Sequence, residues 1–570
     1  MPSSDQVPAD FTRRDFFATV ASAGAAAAVA GLAPGAQEPE AMVTEVTGSA
    51  IAEAERFAGI AFTEAEREQI ARTIGEHDEL FKARAAFGPL DNQLPPAQIF
   101  RVLLPGEEPR IRSGAAIAPT NPALKSAPAD DADLDFATVE QLSAWMRGGK
   151  ITSRRLVARS LERLKRSNAT LNHTITLIED AALAEADERD AELKKRKSRG
   201  PLHGIPYGLK DLFDTIGIRT TWGAEPWRDR VPMRDASVVR SLREAGAVCV
   251  AKTAVGALAY GDIWFGGTCR NPWNAEQGSS GSSAGSASAV AAGCVPFAIG
   301  TETLGSIVSP CTRCGTTGLR PTFGRVARDG AMALCWSWDK VGPITRSVID
   351  TGIVLDAING ESRFDPSSVS VPFAPPRLAS AKDIVLGYDP SWFAGPLAKY
   401  RDALDAAQAA GARLVEREIR PPADPSLLVS SLMCEAAAAF EHMTRTGADD
   451  QLSWQADEAW PNSFRKTWFI PGIELVQVER MRRVFMEWMR KALDGVDALV
   501  LPPYAGGMLV VTNATGHPAL CLRSGFDAPN APRSITLIGH PFDEATLIGT
   551  GAAIEAQLAV AARTPEMPWF

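Results

Sequence analysis

From about Asp135 to the C-terminus, short apolar runs alternate with stretches of helical length and composition. Ile205–Leu209, Ala247–Ala251, Val295–Ile299, Ile384–Tyr388, Ala498–Leu501 and Ser534–Ile538 have the length and content of buried strands. Ala236–Ala245, Ser282–Ala292 and Asp543–Ala561 read as the intervening helices. Ahead of them, Thr138–Arg147 and Ser153–Arg166 predict two amphipathic helices. The second opens on a Thr152-Ser153 cap and repeats Leu156, Leu161 and Leu164 on one face. This alternation predicts an α/β fold: a single large domain whose central mixed, mainly parallel sheet is covered by helices on both faces.

The N-terminal part reads differently. Residues 42–92 predict an extra helical segment, with Thr63-Glu64-Ala65-Glu66 as a cap followed by acids in the first turn. From Gly88 to Asp133 the chain is rich in Pro, Ala and Asp and lacks sustained periodicity, which predicts an extended wrap or linker. At the start, Arg13-Arg14 precedes an Ala-rich run from Ala18 to Ala33, the pattern of a twin-arginine export signal. A retained anchor or an unremarkable Ala-rich helix are the alternatives, and the run is short of the ~20 residues a membrane span needs. The expected location is therefore outside the cytoplasm, in the periplasm.

Composition narrows the function. Hydrophobic residues make up 45% and charged residues 22%, and the net charge is −9. An acidic chain lacks the basic face that neutralises phosphates, so nucleic acid is not an expected partner. Cys311 and Cys314 form a lone C-x-x-C without the second pair that zinc sites of this type use. The six histidines show no metal-binding spacing.

The most unusual stretch is Gly278-Ser279-Ser280-Gly281-Ser282-Ser283-Ala284-Gly285-Ser286, followed by Gly300-Thr301-Glu302-Thr303-Leu304-Gly305-Ser306. Gly/Ser runs are usually flexible linkers, but this one leads directly into a helix-forming segment and a buried strand. Its glycine spacing matches neither phosphate-binding pattern, and no lysine follows it. Nucleophilic catalysis by serine remains. A serine needs a base, and no G-x-S-x-G elbow supports histidine in that role. Lysine can serve if burial keeps its amine neutral. Lys210, at the end of the apolar run Ile205–Leu209, is the candidate; an exposed lysine paired with Asp211 is the ordinary alternative.

Taken together these motifs resemble the signature of the amidase signature family. The matching residues are Ser280 to Ala287, Gly300 to Ile307, Cys314-Gly315 and Gly318-Leu319-Arg320-Pro321-Thr322. Gly204-Ile205-Pro206 with Leu209-Lys210-Asp211, Asn271-Pro272-Trp273, Gly342-Pro343, Thr515-Gly516-His517-Pro518 and Leu537 to Glu544 add further likeness. The chain is thus expected to divide into an export segment over 1–36, a helical extension and linker over 37–133, and a domain over 134–570 that carries the resemblance to amidases. It implies Ser306 as nucleophile, Ser282 on a cis peptide bond as proton bridge, and Lys210 as base. The backbone N–H groups of Thr303, Leu304, Gly305 and Ser306 would form the oxyanion hole. No metal or organic cofactor is implied. The expected partner is a small-molecule amide, with esters or carbamates as side substrates, no stable membrane insertion after export, and a homodimer as the oligomeric option.

The chain departs from the family's usual T-D-x-G-G-S-I-R at Glu302, Leu304 and Val308, and Ala254 stands where an asparagine is common. Leucine adds a side chain where backbone approaches substrate and does not readily take positive φ, so a reshaped loop is expected. Losing the arginine requires a different support for the loop. Trp454, Trp460, Trp468, Phe469, Trp488 and Met489 read either as the wall of an apolar acyl pocket or as local core. Two rival functions are a catalytically weakened binding protein on the same scaffold and the glutaminase subunit of a tRNA-dependent amidotransferase. The export signal disfavours the second.

Overall fold

The computed structural model describes residues 46–75, 90–111, 130–375, 381–560 and 563–568, with His77, Arg84, Gly88 and Pro128 as single positions. The expected export segment over 1–36 lies outside the described residues. Among the described residues, no helix is long and apolar enough to cross a membrane.

Eleven strands form one sheet among the described residues. In chain order they are β1 (Thr174–Leu177), β2 (Pro206–Lys210), β3 (Val248–Thr253), β4 (Phe297–Glu302), β5 (Thr317–Arg320), β6 (Lys340–Thr345), β7 (Val385–Tyr388), β8 (Arg413–Glu416), β9 (Ala498–Leu501), β10 (Ala519–Ala528) and β11 (Ala531–Gly539). Their spatial order is β1-β3-β2-β4-β6-β5-β10-β11-β9-β7-β8. The sheet is mixed, as expected, but its balance corrects the expected parallel majority. Parallel pairing is confined to two trios, β3-β2-β4 and β9-β7-β8. The strands between them pair antiparallel, because the β10–β11 hairpin and short returns such as β5 to β6 occupy the centre.

Helices cover both faces, as the alternation along the strands requires. Phe297 and Ile299 of β4 and Leu520 and Leu522 of β10 enter one apolar cluster; Ala298 and Cys521, pointing the other way, enter a second. The first cluster takes Leu142 of α3 (Val139–Arg147) and Ile548 of α7 (Glu544–Leu558); the second takes Leu161 of α4 (Ser153–Leu171), Val290 of α5 (Ala284–Ala291) and Cys311 of α6 (Val308–Cys314). The Thr152 hydroxyl accepts from the Arg155 amide, so the predicted cap holds. Cys311 and Cys314 are buried free thiols.

The N-terminal helical reading resolves into α1 (Gly48–Ala58) and α2 (Glu64–Thr73). Gly59, at φ +65°, ends the first, and Thr63 with Glu66 forms a reciprocal capping box on the second. Residues 90–111 contain neither helix nor strand. They form a strap fastened to the domain rather than a free linker. Val102 and Leu104 are buried, Phe100 lies under the Arg482 guanidinium at 3.6 Å, and Arg110 pairs with Asp497 at 2.8 Å.

Candidate active site

All five residues of β2 are buried, and the strand runs between β3 and β4. Its last side chain, Lys210, is completely enclosed. Nζ lies 2.9 Å from Ser282 Oγ, 3.1 Å from Ser283 Oγ and 2.8 Å from Thr301 Oγ1. The exposed Lys210–Asp211 pair is therefore excluded. Asp211 turns away to a second buried lysine, Lys252, at 3.4 Å, and accepts from the Thr221 amide at 2.8 Å.

The Gly/Ser-rich segment is core. Every residue of α5 is buried, and a Cβ on Gly285 would stand 2.1 Å from the His173 carbonyl oxygen. Small residues let this helix lie directly on β3. The Gly281–Ser282 peptide is cis, at the position the family resemblance implied. Next to it, Ser283 donates its hydroxyl to Thr301 O at 3.1 Å and accepts from the Thr301 amide at 3.2 Å. The Ser283 amide also donates to the Ser306 carbonyl at 3.2 Å, fastening the two serine segments together.

Ser306 sits in the turn between β4 and α6, 3% exposed. The positive φ of this loop falls on Gly305, at +80°, while Leu304 is absent from the positive-φ residues. The leucine is thus accommodated without left-handed backbone, and its side chain enters the site. Support for the loop comes from Glu302. One carboxylate oxygen accepts the amides of Ile307 and Val308 at 2.8 and 2.9 Å; the other accepts from Arg320 and from Asn513 Nδ2, both at 2.8 Å. Burial acts to raise the Glu302 carboxyl, but the Arg320 charge and these donors outweigh it and hold it at about 2. Arg320 on β5, through Glu302, is thus part of the support of this loop, in which Val308 contributes its backbone amide.

Ser306 lines a narrow pocket together with Tyr260, Leu304, Leu334, Leu432 and Trp460. Of the aromatic residues in doubt, Trp460 reaches this wall, and Trp454 stacks on Tyr260 at 5.0 Å. Met489 is core, Trp488 packs against it, and Trp468 and Phe469 are exposed. Pocket wall and local core each describe part of that group.

Three site residues escaped the sequence reasoning as such. Thr301 and Ser283 stood inside the quoted motifs, but nothing in their spacing marks them as partners of a lysine. Asp339, which accepts from Thr303 Oγ1 at 2.5 Å, lies far along the chain and has no local signal.

A model of the Amidase family matches residues 155–508, more than half of the chain. A glutamyl-tRNA(Gln) amidotransferase subunit of Geobacter metallireducens is 31% identical over 470 residues, covering 73% of this chain and 96% of that protein. The structure resembles a native peptide amidase from Stenotrophomonas maltophilia, with TM-score 0.66, 30% identity and coverage of 76% of this chain and 99% of that one. It also resembles an amidase family protein from Bacillus anthracis, with TM-score 0.68, 25% identity and coverage of 76% and 93%. With this fold and these motifs, the chain belongs to the amidase signature family.

Proposed function

We propose that this protein hydrolyses carboxylic amides through an acyl-enzyme on Ser306, with Ser282 relaying protons to and from Lys210. The observation that carries the reading is the enclosed Lys210 amine, 2.9 Å from the hydroxyl of a serine on a cis peptide bond. Ser283 has committed its proton to Thr301 O, so its Oγ is an acceptor for Lys210. Thr301 Oγ1 and, at 3.4 Å, Thr301 O also stand by the amine. In the neutral form that this scheme requires, the lone pair of the amine would meet the Ser282 hydroxyl. A fully enclosed amine is the setting in which the uncharged form is favoured.

In this scheme Ser306 Oγ attacks the carbonyl carbon as its proton passes to Ser282 Oγ and the Ser282 proton passes to Lys210 Nζ. The negative oxygen of the tetrahedral intermediate is received by the loop amides of Thr303, Leu304, Gly305 and Ser306. The lysine proton returns through Ser282 to the leaving nitrogen as the C–N bond breaks. Water then cleaves the ester by the same path. The hydrocarbon and ring lining beside Ser306 supports an apolar or aryl acyl group. Labelling with a fluorophosphonate probe tests the scheme. Attachment to Ser306 in the wild type, and its loss in Lys210→Ala, is expected; unlabelled Ser306 would favour a binding protein on this scaffold.

One observation favours a second reading: the Geobacter metallireducens relative is named as part of an amidotransferase. On that reading the chain would release ammonia from a polar amide alongside partner subunits. The apolar cavity beside Ser306 argues for the first reading. Turnover of aryl amides by the isolated chain, exceeding that of glutamine, would decide for it. Export through 1–36, an accessory role for 37–133 ahead of the amidase domain over 134–570, and a homodimer belong to the same proposal. A mature N-terminus near Gln37 in a periplasmic fraction would establish the first of these.

A further inference from the structure

The antiparallel ladder between β4 and β6 ends at the pair Glu302–Lys340. One step further, the same register sets Thr303 opposite Asp339. There β4 leaves the sheet and becomes the loop that carries Ser306. A side-chain bond follows where the ladder stops: Thr303 Oγ1 donates to one carboxylate oxygen of Asp339 at 2.5 Å.

The other oxygen of Asp339 reaches the facing loop. It accepts the Leu334 and Cys335 amides at 2.8 and 3.0 Å, while the Asp339 amide donates back to the Cys335 carbonyl at 2.9 Å. This turn is held from outside as well. Arg328 donates to the Asp339 carbonyl at 3.2 Å and pairs with Asp365 at 3.3 Å. From the strap, Asn92 Oδ1 accepts the Ala333 amide at 2.8 Å and its Nδ2 donates to the Ala333 carbonyl at 3.0 Å. Leu334, which follows, lines the pocket beside Ser306. One carboxylate thus joins the start of the nucleophile loop to the wall that faces it.

The nucleophile loop therefore has a carboxylate at each end. Glu302 holds the Ile307 and Val308 amides, and Asp339 holds Thr303. Between these two anchors lie the amides that the hydrolase reading assigns to the oxyanion. Such donors work only if they are aimed before the charge appears, so an error in aim weakens the transition state more than the bound ground state. We propose that Asp339 is a positioning residue, which fixes the first donor of the oxyanion loop through the Thr303 hydroxyl. The proposal rests on the amide-hydrolase reading of Ser306. With both oxygens engaged by protein donors, Asp339 acts through Thr303 and not on the substrate.

The test uses the full chain and the fluorophosphonate probe, whose reaction with Ser306 also builds negative charge on an oxygen facing the loop. Its concentration dependence separates a maximal labelling rate from a binding constant, whatever amide the enzyme prefers. Thr303→Val removes the hydroxyl at nearly constant volume. It should lower the maximal rate by about 30-fold, less than the loss of an oxyanion donor outright, and leave the binding constant within about twofold. Thr303→Ser keeps the hydroxyl and should stay within about threefold of wild type. Asp339→Asn should also slow labelling, and adding it to Thr303→Val should cost less than the product of the two single losses, because both break one contact. Thermal midpoints are measured in parallel, and if Asp339→Asn does not fold, the two Thr303 variants decide. Wild-type rates in Thr303→Val, or equal losses in Thr303→Val and Thr303→Ser, would overturn the proposal. So would a rate loss matched by an equal loss of binding, the mark of a purely structural contact. The two readings fail differently. A wild type that takes no label at Ser306 sinks both, whereas a labelled wild type with an equally fast Thr303→Val sinks the role of Asp339 alone.

Discussion

Thr301 Oγ1 stands 2.8 Å from Lys210 Nζ, slightly nearer than Ser282 Oγ at 2.9 Å. The hydroxyl that aims the amine is as close to it as the hydroxyl it serves. Thr301→Val removes this acceptor at nearly constant volume. It should lower kcat by about 10- to 100-fold, while Thr301→Ser restores most of the loss. The pH–rate profile should also move in the valine variant, since an N–H of the base loses its acceptor. An unchanged profile with normal kcat would remove Thr301 from the site.

The three relay residues should behave as a unit. Ser306→Ala is expected to abolish the covalent adduct seen by intact-protein mass spectrometry. Lys210→Ala should cost about 10³-fold or more in kcat at neutral pH. Near-normal turnover in Lys210→Ala would show that the base lies elsewhere.

Glu302→Gln should destabilise the protein by about 3–5 kcal/mol, because Arg320 would stay buried without its countercharge. The urea midpoint measures this. The wild-type pH dependence has a definite sign. The carboxyl is depressed on folding from an ordinary 4.5 to about 2, so its stabilisation is present above about 4.5 and is lost as pH falls through about 2. Glu302→Gln should flatten that part of the acid limb.

Glu555, on α7, behaves in the opposite sense. Its oxygens accept the Val348 amide, and burial pushes its carboxyl up to about 7 against an ordinary 4.5. The folded state therefore holds a proton that the unfolded chain gives up between those values, so this group lowers stability as pH rises from about 4.5 to about 7. Glu555→Gln should raise the melting temperature at pH 8 by about 2–3 °C and leave it little changed at pH 4.

Leu304 occupies space beside the nucleophile. Leu304→Gly should enlarge the acyl cavity and shift relative kcat/KM toward bulkier acyl groups by about tenfold, the worth of a few methylene contacts. Competition between small and branched acyl amides reads this directly.

Much of the domain was legible because its strands are apolar runs and its helices carry long one-sided patterns. The central strands were not. β5 and β6 contain Gly318, Gly342 and Pro343, which mask strand character in sequence. The lysine and both serines could be placed because they lie in dense local motifs. Thr301 carries no local sign of its role, since its partner Lys210 comes from another strand. The Arg320–Glu302 support and the grip of Asn92 on Ala333 were invisible for the same reason: each joins residues distant in sequence without any repeating pattern. Leu304 looked like a threat to the loop only because sequence does not reveal which residue bears the left-handed turn; Gly305 bears it.

The strap enters the chain before the first strand, yet Val102 and Leu104 are buried in the domain and Arg110 pairs with Asp497. A protein begun at residue 134 would keep Lys210, Ser282 and Ser306 and every motif named above, while baring the apolar surface that those two side chains cover. Such a fragment would carry the same reacting groups on a stickier body, and its poor behaviour in solution would say nothing about the chemistry.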